Sequence, residues 1–153
     1  MTIKERIYAA LNEAYPSLKN LRDDYFIIGS SALILSGITF ETVHDIDILL
    51  TNRDALYLEM EWKHRKINYM PQCNDLFRSR FSRFHFSEMP IETMGNLEVN
   101  KNGIWTPQKV ENYTTIALND IQIKIPTKEE QIKIFRFWGR EKDWGKVKLI
   151  EKM

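Results

Sequence analysis

The chain has 153 residues, 43% of them hydrophobic and 28% charged, with 22 Lys and Arg against 21 Asp and Glu. That length supports one domain with its own core, and a formal charge of +1 excludes a global field that would draw the chain to nucleic acid or an acidic membrane. A single cysteine, Cys73, excludes a disulfide framework and a cysteine-built zinc site, and it fits a reduced, cytoplasmic setting.

Elements are expected in this order. "MTIKERIYAALNEAY" is charged and helical at once, without the apolar stretch or cleavage site of a signal peptide, so it is read as part of the fold. Thr2 and Glu5 make a capping box. Ile3, Ile7, Ala10, Leu11, Ala14 and Leu18 follow at helical spacing, and Pro16 is expected to end or bend the helix. "DYFIIG" reads as a strand ending at Gly29. "SSALILSG" returns to helical spacing through Ala32, Leu33 and Leu35, and Gly37 closes it. The apolar run over 26–38 is broken by Gly29, Ser30 and Ser31, and no run approaches the ~20 residues of a membrane span. "DIDILL" is the second strand. Asn52 is expected to cap a helix over 54–66, with Leu56, Met60 and Lys63 along one side.

"RFSRFHF" reads as a strand, Met89-Pro90 as a break, and "IETMG" as another short strand. "ENYTTIALNDIQIKIP" reads as a hairpin with strands over 113–118 and 121–125, joined at Asn119-Asp120. In its second strand Ile121, Ile123 and Ile125 alternate with Gln122 and Lys124. Thr127 and Glu130 form a second capping box. The helix they open carries Ile132, Phe135 and Trp138 and stops at Gly139, and a last helix covers 141–152. This order predicts an α/β or α+β fold: one domain over 1–153, with a mixed β-sheet flanked by helices and helices at the C-terminus.

Asp45 and Asp47 interrupt an otherwise apolar strand. Residues i and i+2 share a face, so the two carboxylates lie side by side while Ile46 and Ile48 point the other way. Two such charges repel unless a cation lies between them. A hard divalent cation accepts all-oxygen ligands, and magnesium commonly uses one or two carboxylates plus a substrate phosphate. Taken alone, the pair also reads as a solvated strand entrance. Upstream, a strand ending in Gly29 and turning into a helix leaves free N–H groups for an anion. Gly29 admits a phosphate close to the backbone, Ser30 caps the helix or donates to phosphate, and Ser31 adds a further contact. Alone, this too is an ordinary turn. Together, a phosphate cradle and two carboxylates on the next strand are what metal-assisted phosphoryl chemistry requires.

"IIGSSAL" followed by "HDIDILL" resembles the signature of the nucleotidyltransferase superfamily, the DNA polymerase beta-like fold. That signature is an apolar residue, Gly, Gly or Ser, a short helix, then Asp-apolar-Asp (or Glu)-apolar on the next strand. The family's third carboxylate comes from a later strand, and the matching position is Glu92 in "MPIETMG". "IQIKIP", "TKEEQIKIF" and "GREKDW" look like the tail of small single-domain members, so the resemblance covers most of the chain and is weakest over 60–79. Three departures stand out. The spacing from Ser30 to Asp45 implies a longer loop over 39–44, the third acid is Glu rather than Asp, and the large helical acceptor domain of the antibiotic-modifying members is missing.

The resemblance implies a magnesium-dependent enzyme that transfers a nucleoside monophosphate from a nucleoside triphosphate to an acceptor hydroxyl. Gly29 and Ser30 would hold the β- and γ-phosphates. Asp45 and Asp47 would bind magnesium, and Glu92 would complete a two-metal site and help deprotonate the nucleophile. Arg140 and Lys142, just past a helix stop, would reach the triphosphate; a charge cluster favouring the preceding helix end is the plainer alternative. Asp143 is expected to cap or pair within the last helix. The implied partners are the triphosphate, an acceptor that is a small molecule, RNA or protein, and a second copy or a helical protein. Two other functions fit the same residues: a nucleotide-binding module without catalysis, and a nucleotidylating toxin of a two-protein system.

Other features are set aside. His44, His64 and His85 lack metal-ligand spacing with one another or with Cys73. Arg78, Arg80 and Arg83 with Phe81 and Phe84 read as a solvated strand face over a Phe core rather than a single-strand patch. Phe135, Phe137, Trp138 and Trp144 read as core or an inter-subunit surface, and Trp105 with Pro107 as loop packing.

Overall fold

The computed structural model describes residues 1–40, 42–71 and 75–153, so Cys73 lies outside the described residues. Its helices are α1 (Ile3–Leu18), α2 (Gly29–Leu35), α3 (Asn52–Glu61), α4 (Lys128–Trp138) and α5 (Glu141–Glu151). Its strands are β1 (Phe26–Ile28), β2 (Ile46–Leu50), β3 (Lys66–Ile67), β4 (Phe77–Phe84), β5 (Ile91–Lys101), β6 (Ile104–Pro107), β7 (Tyr113–Leu118) and β8 (Ile121–Pro126). No helix among the described residues is long and apolar enough to cross a membrane.

The main sheet is mixed and runs β1-β2-β5-β4-β3, with β2 and β5 parallel and the other pairs antiparallel. β5 is long enough to share one edge between two partners: β2 pairs Ile91 to Gly95, and β6 pairs Glu98 to Lys101. The hairpin of β7 and β8 forms as expected, with Ile121, Ile123 and Ile125 buried.

Alternation along β2 divides the molecule. Ile46, Ile48 and Leu50 face one apolar cluster with Ile7 and Leu11 of α1, Ala55 and Leu58 of α3, and the isoleucines of β8. Leu49 faces a second cluster with Leu97 and Val99 of β5, Ile134, Phe135 and Trp138 of α4, and Val147 and Ile150 of α5. Asp47 shares the second face, so its charge stands on the side that the C-terminal helices cover.

Local signals act as their physics predicts at several ends. Thr2 and Glu5 close a full capping box. α2 ends in a Schellman motif: Gly37 has φ +87, its N–H donates to Ile34 O, and the Ile38 N–H donates to Leu33 O. Other expectations are corrected. α1 continues through Pro16 to Leu18, because the carbonyl that loses its donor belongs to exposed Asn12 while Leu18 is buried. The second box is half formed: Thr127 caps α4, but the Glu130 carboxylate turns inward and accepts the Glu111 N–H. Thr51, not Asn52, caps α3, and the helix buries Asp54, Ala55 and Leu58. Leu56 and Met60 are exposed on it, because the carboxylate of Asp54 is drawn inward by two backbone N–H groups, those of Arg22 and Asp23. Trp105 is in a strand rather than a loop: β5 runs far past "IETMG", turns at Asn102-Gly103 with both residues at positive φ, and returns as β6.

Candidate active site

The strand register builds the site. Asp47 lies opposite Ile28 of β1 on one side and Glu92 of β5 on the other. Asp45 immediately precedes β2. Ser31, expected at a phosphate, is buried instead, and its hydroxyl donates to the Asp45 backbone carbonyl at 2.9 Å. It holds the first acid in place from the first turn of α2. Ser30 is half-buried and does not cap the helix, whose N-cap is Ile28 without a side-chain bond. Gly29 has φ +70, and a Cβ there would stand 2.9 Å from Asp47 Oδ2. The turn and the second acid are therefore packed directly against each other.

Asp45, Asp47 and Glu92 each contribute a carboxylate oxygen, and these oxygens lie within 4.8 Å of one another. Asp47 Oδ1 is enclosed and has no hydrogen-bond partner among the described residues. A buried oxygen without a donor is costly in a folded protein. Three convergent carboxylates with one such oxygen are a donor set that fits a hard divalent cation. On the outer side of the cluster, Arg83 Nη1 donates to Glu92 Oε2 at 3.3 Å.

Burial pushes the Asp47 carboxyl well above the usual range, and the charges of Asp45 and Glu92 add to this while Lys146 opposes it. Burial and the Asp45 charge also raise Glu92, whereas the bond from Asp47 and the Arg83 charge lower it. Because both folded-state values are raised, the metal-free folded protein binds more protons than the unfolded chain above the ordinary carboxylate range. Their contribution therefore favours folding at acidic pH and is lost as pH rises through the raised value of Asp47. With chelator present, the melting temperatures of wild type and Asp47→Asn should differ little at mildly acidic pH, and the variant should gain on wild type as pH rises. Parallel curves across that range would show that Asp47 carries no such strain.

The cations are rearranged relative to expectation. Arg140 is tied to Asp143, which accepts its backbone N–H at 3.1 Å, Nε at 2.7 Å and Nη2 at 3.0 Å. Its guanidinium also lies over the rings of Phe77 and Trp138. Asp143 thus caps and pairs as expected, and Arg140 is held at the start of α5. Lys142 is exposed. The lysine nearest the acids in charge is Lys146, which sequence reasoning missed. Its ammonium stands 5.2 Å from the ring of Phe135 and 5.9 Å from that of Phe40, and it and Asp47 act on each other electrostatically. Burial is the main cause lowering its pKa. The signal was available: Asp143, Val147 and Ile150 form the buried stripe of α5, and position 146 borders it. His44, His64 and His85 are all exposed.

No family model matches the chain, and no curated protein matches it. Among solved structures, a "putative nucleotidyltransferase" from Thermotoga maritima matches with a TM-score of 0.75 over 100% of this chain and 97% of that one, at 20% identity. The fold is therefore nucleotidyltransferase-like: a mixed sheet flanked by helices, with Asp45, Asp47 and Glu92 gathered on one of its faces.

Proposed function

We propose that this nucleotidyltransferase-like fold is a working enzyme that transfers a nucleoside monophosphate from a nucleoside triphosphate to an acceptor hydroxyl, with magnesium as cofactor. The observation that carries the reading is the convergence of Asp45, Asp47 and Glu92, with Asp47 Oδ1 enclosed and unpartnered. A scaffold without ligands gains nothing from an enclosed carboxylate oxygen between two further acids, because its desolvation and their repulsion outweigh the opposing charge of Lys146.

Asp45, Asp47 and Glu92 would hold the magnesium. Magnesium, when bound, neutralises the acids and supplies positive charge to the phosphoryl oxygens. The Gly29 turn lies against Asp47, and its backbone N–H groups with the Ser30 hydroxyl take the phosphate oxygens. Lys146 faces the same cluster from α5 and steadies the negative charge of the departing pyrophosphate, with exposed Lys142 as a more distant contributor. Arg140 acts indirectly, by fixing the first turn of α5 through Asp143. Glu92 takes the proton of the attacking hydroxyl.

A nucleoside triphosphate should raise the melting temperature in the presence of magnesium and leave it unchanged in chelator. The absence of a shift with all four common triphosphates would remove the reading. Incubation of the protein with labelled triphosphate, magnesium and cell extract then identifies the species that takes the label.

A further inference from the structure

Most of the basic and aromatic residues of β4 are accounted for. Arg78 pairs with Glu98 and stacks over Trp105. Arg80 pairs with Glu59 of α3 on the opposite face, and Phe84 is core. Phe81 and Arg83 remain. They lie opposite Met94 and Glu92 in register, so they share the face of the carboxylates. α4 and α5 cover that face at Leu97 and Val99, and at this end Phe81 and Arg83 are half-buried. Tyr69, which follows β3, lies against Phe81 with ring centroids 6.0 Å apart and a tilt of 45°. Tyr69 is 43% exposed, and neither ring belongs to either apolar cluster. The Arg83 guanidinium stands 4.7 Å from the Tyr69 centroid while it contacts Glu92. A pair of aromatic rings outside the core, an arginine and the third carboxylate therefore form one continuous strip.

Resting on the function proposed above, we infer that this strip is the acceptor site and that the acceptor is a ribonucleotide with a free hydroxyl. The three parts of the strip match three parts of that one unit. Exposed Tyr69 beside half-buried Phe81 offers an aromatic surface on which a base stacks without regard to its identity. A guanidinium fork beside it suits a phosphate. Glu92 stands next to the guanidinium, where a ribose hydroxyl on the same nucleotide comes within its reach. A serine or threonine of a protein acceptor presents the hydroxyl alone and uses neither the rings nor the guanidinium. In the transfer, the ribose oxygen forms a bond to the α-phosphorus of the triphosphate. The bond from that phosphorus to the oxygen bridging the β-phosphate breaks, and pyrophosphate leaves with its electron pair. The hydroxyl proton passes to Glu92 and on to water.

The test uses the full chain and two probes, a short single-stranded RNA labelled at its 5′ end with a free 3′ hydroxyl, and unlabelled AMP as competitor. Binding is read by fluorescence anisotropy for wild type, Tyr69→Ala and Arg83→Gln. The RNA should bind wild type, and each variant should weaken it about tenfold. Tyr69→Ala should keep the magnesium- and triphosphate-dependent thermal shift of wild type, which also certifies its fold. Displacement of the RNA by AMP would support the site with a free nucleotide as sufficient acceptor, and resistance to AMP would support it with a strand end. Equal RNA affinity in wild type and Tyr69→Ala would overturn the inference. So would a wild-type protein that shows the triphosphate shift but binds neither probe, and that result would leave the proposed function standing. Loss of the triphosphate shift itself in wild type would count against the proposed function instead.

Discussion

Asp47→Asn should abolish magnesium-dependent nucleotide binding and transfer while making the metal-free protein more stable at neutral pH. The two effects have one cause. Asp47 has an enclosed oxygen without a donor, and Asp45 and Glu92 lie beside it. An amide of the same shape removes the charge that is poorly solvated and repelled in the metal-free state. Neutralising an ion of this kind is worth on the order of 1 kcal/mol in stability, or about 2–4 °C in melting temperature for a chain of this size. On the proposed function the same change removes a carboxylate that would hold positive charge at the transferring phosphoryl group. Losing several kcal/mol of such stabilisation lowers the rate by about 10³-fold or more. Thermal melts with and without magnesium, run beside a transfer assay, read both signs at once. A variant that melts higher and still responds to magnesium would show that Asp47 is not a ligand.

The second large effect is expected at Gly29. An alanine there is strained at φ +70, and its Cβ would stand 2.9 Å from Asp47 Oδ2, closer than real Cβ contacts allow. The left-handed backbone costs ~1–2 kcal/mol, and the clash is relieved only by moving the carboxylate. A displacement of about 1 Å at a reacting group costs roughly 10² in rate. Gly37→Ala is the control. Its φ of +87 imposes comparable backbone strain, but nothing lies within 4 Å of its added Cβ. Both variants should lose several degrees of melting temperature, about 2–4 °C per kcal/mol. Only Gly29→Ala should lose activity beyond what its stability explains. Equal activity in the two would separate the turn from the acid.

The functional consequence of these substitutions depends on how far the sequence determines the site. Asp45 and Asp47 were visible as a pair because strand periodicity places i and i+2 on one face, whatever the rest of the chain does. Their meeting with Glu92 was an expectation carried by resemblance, and the parallel register of β2 and β5 brings it about. Ser31 illustrates the opposite case. Its position beside a glycine turn suggested a phosphate contact, but its hydroxyl faces inward and donates to the backbone carbonyl of Asp45, just before the next strand. Arg140 was selected for its charge, and the buried carboxylate of Asp143, three residues on, holds it in place. Lys146 was missed and Lys142 named instead, since only the packing of α5 decides which of its lysines turns towards the sheet.

The sequence by itself determined the features that act over one turn of chain. These include the Thr2 and Glu5 box, the Gly37 and Gly139 stops, the period-two strand of Ile121, Ile123 and Ile125, and the paired aspartates. The Asn102-Gly103 turn belonged to the same class and was readable from its dipeptide, though the strand it closes was taken as short. Each of these depends on hydrogen bonds or side-chain alternation among near neighbours, so the local chain suffices to specify it. Only the tertiary structure decided which side of α3 is buried, that the charge of Lys146 acts on Asp47, and that Tyr69, Phe81 and Arg83 stand in line with Glu92. Those arrangements join residues far apart in the chain, and they follow from strand register and helix rotation. Both are set by the burial of apolar surface across the whole molecule, which no short stretch of sequence carries.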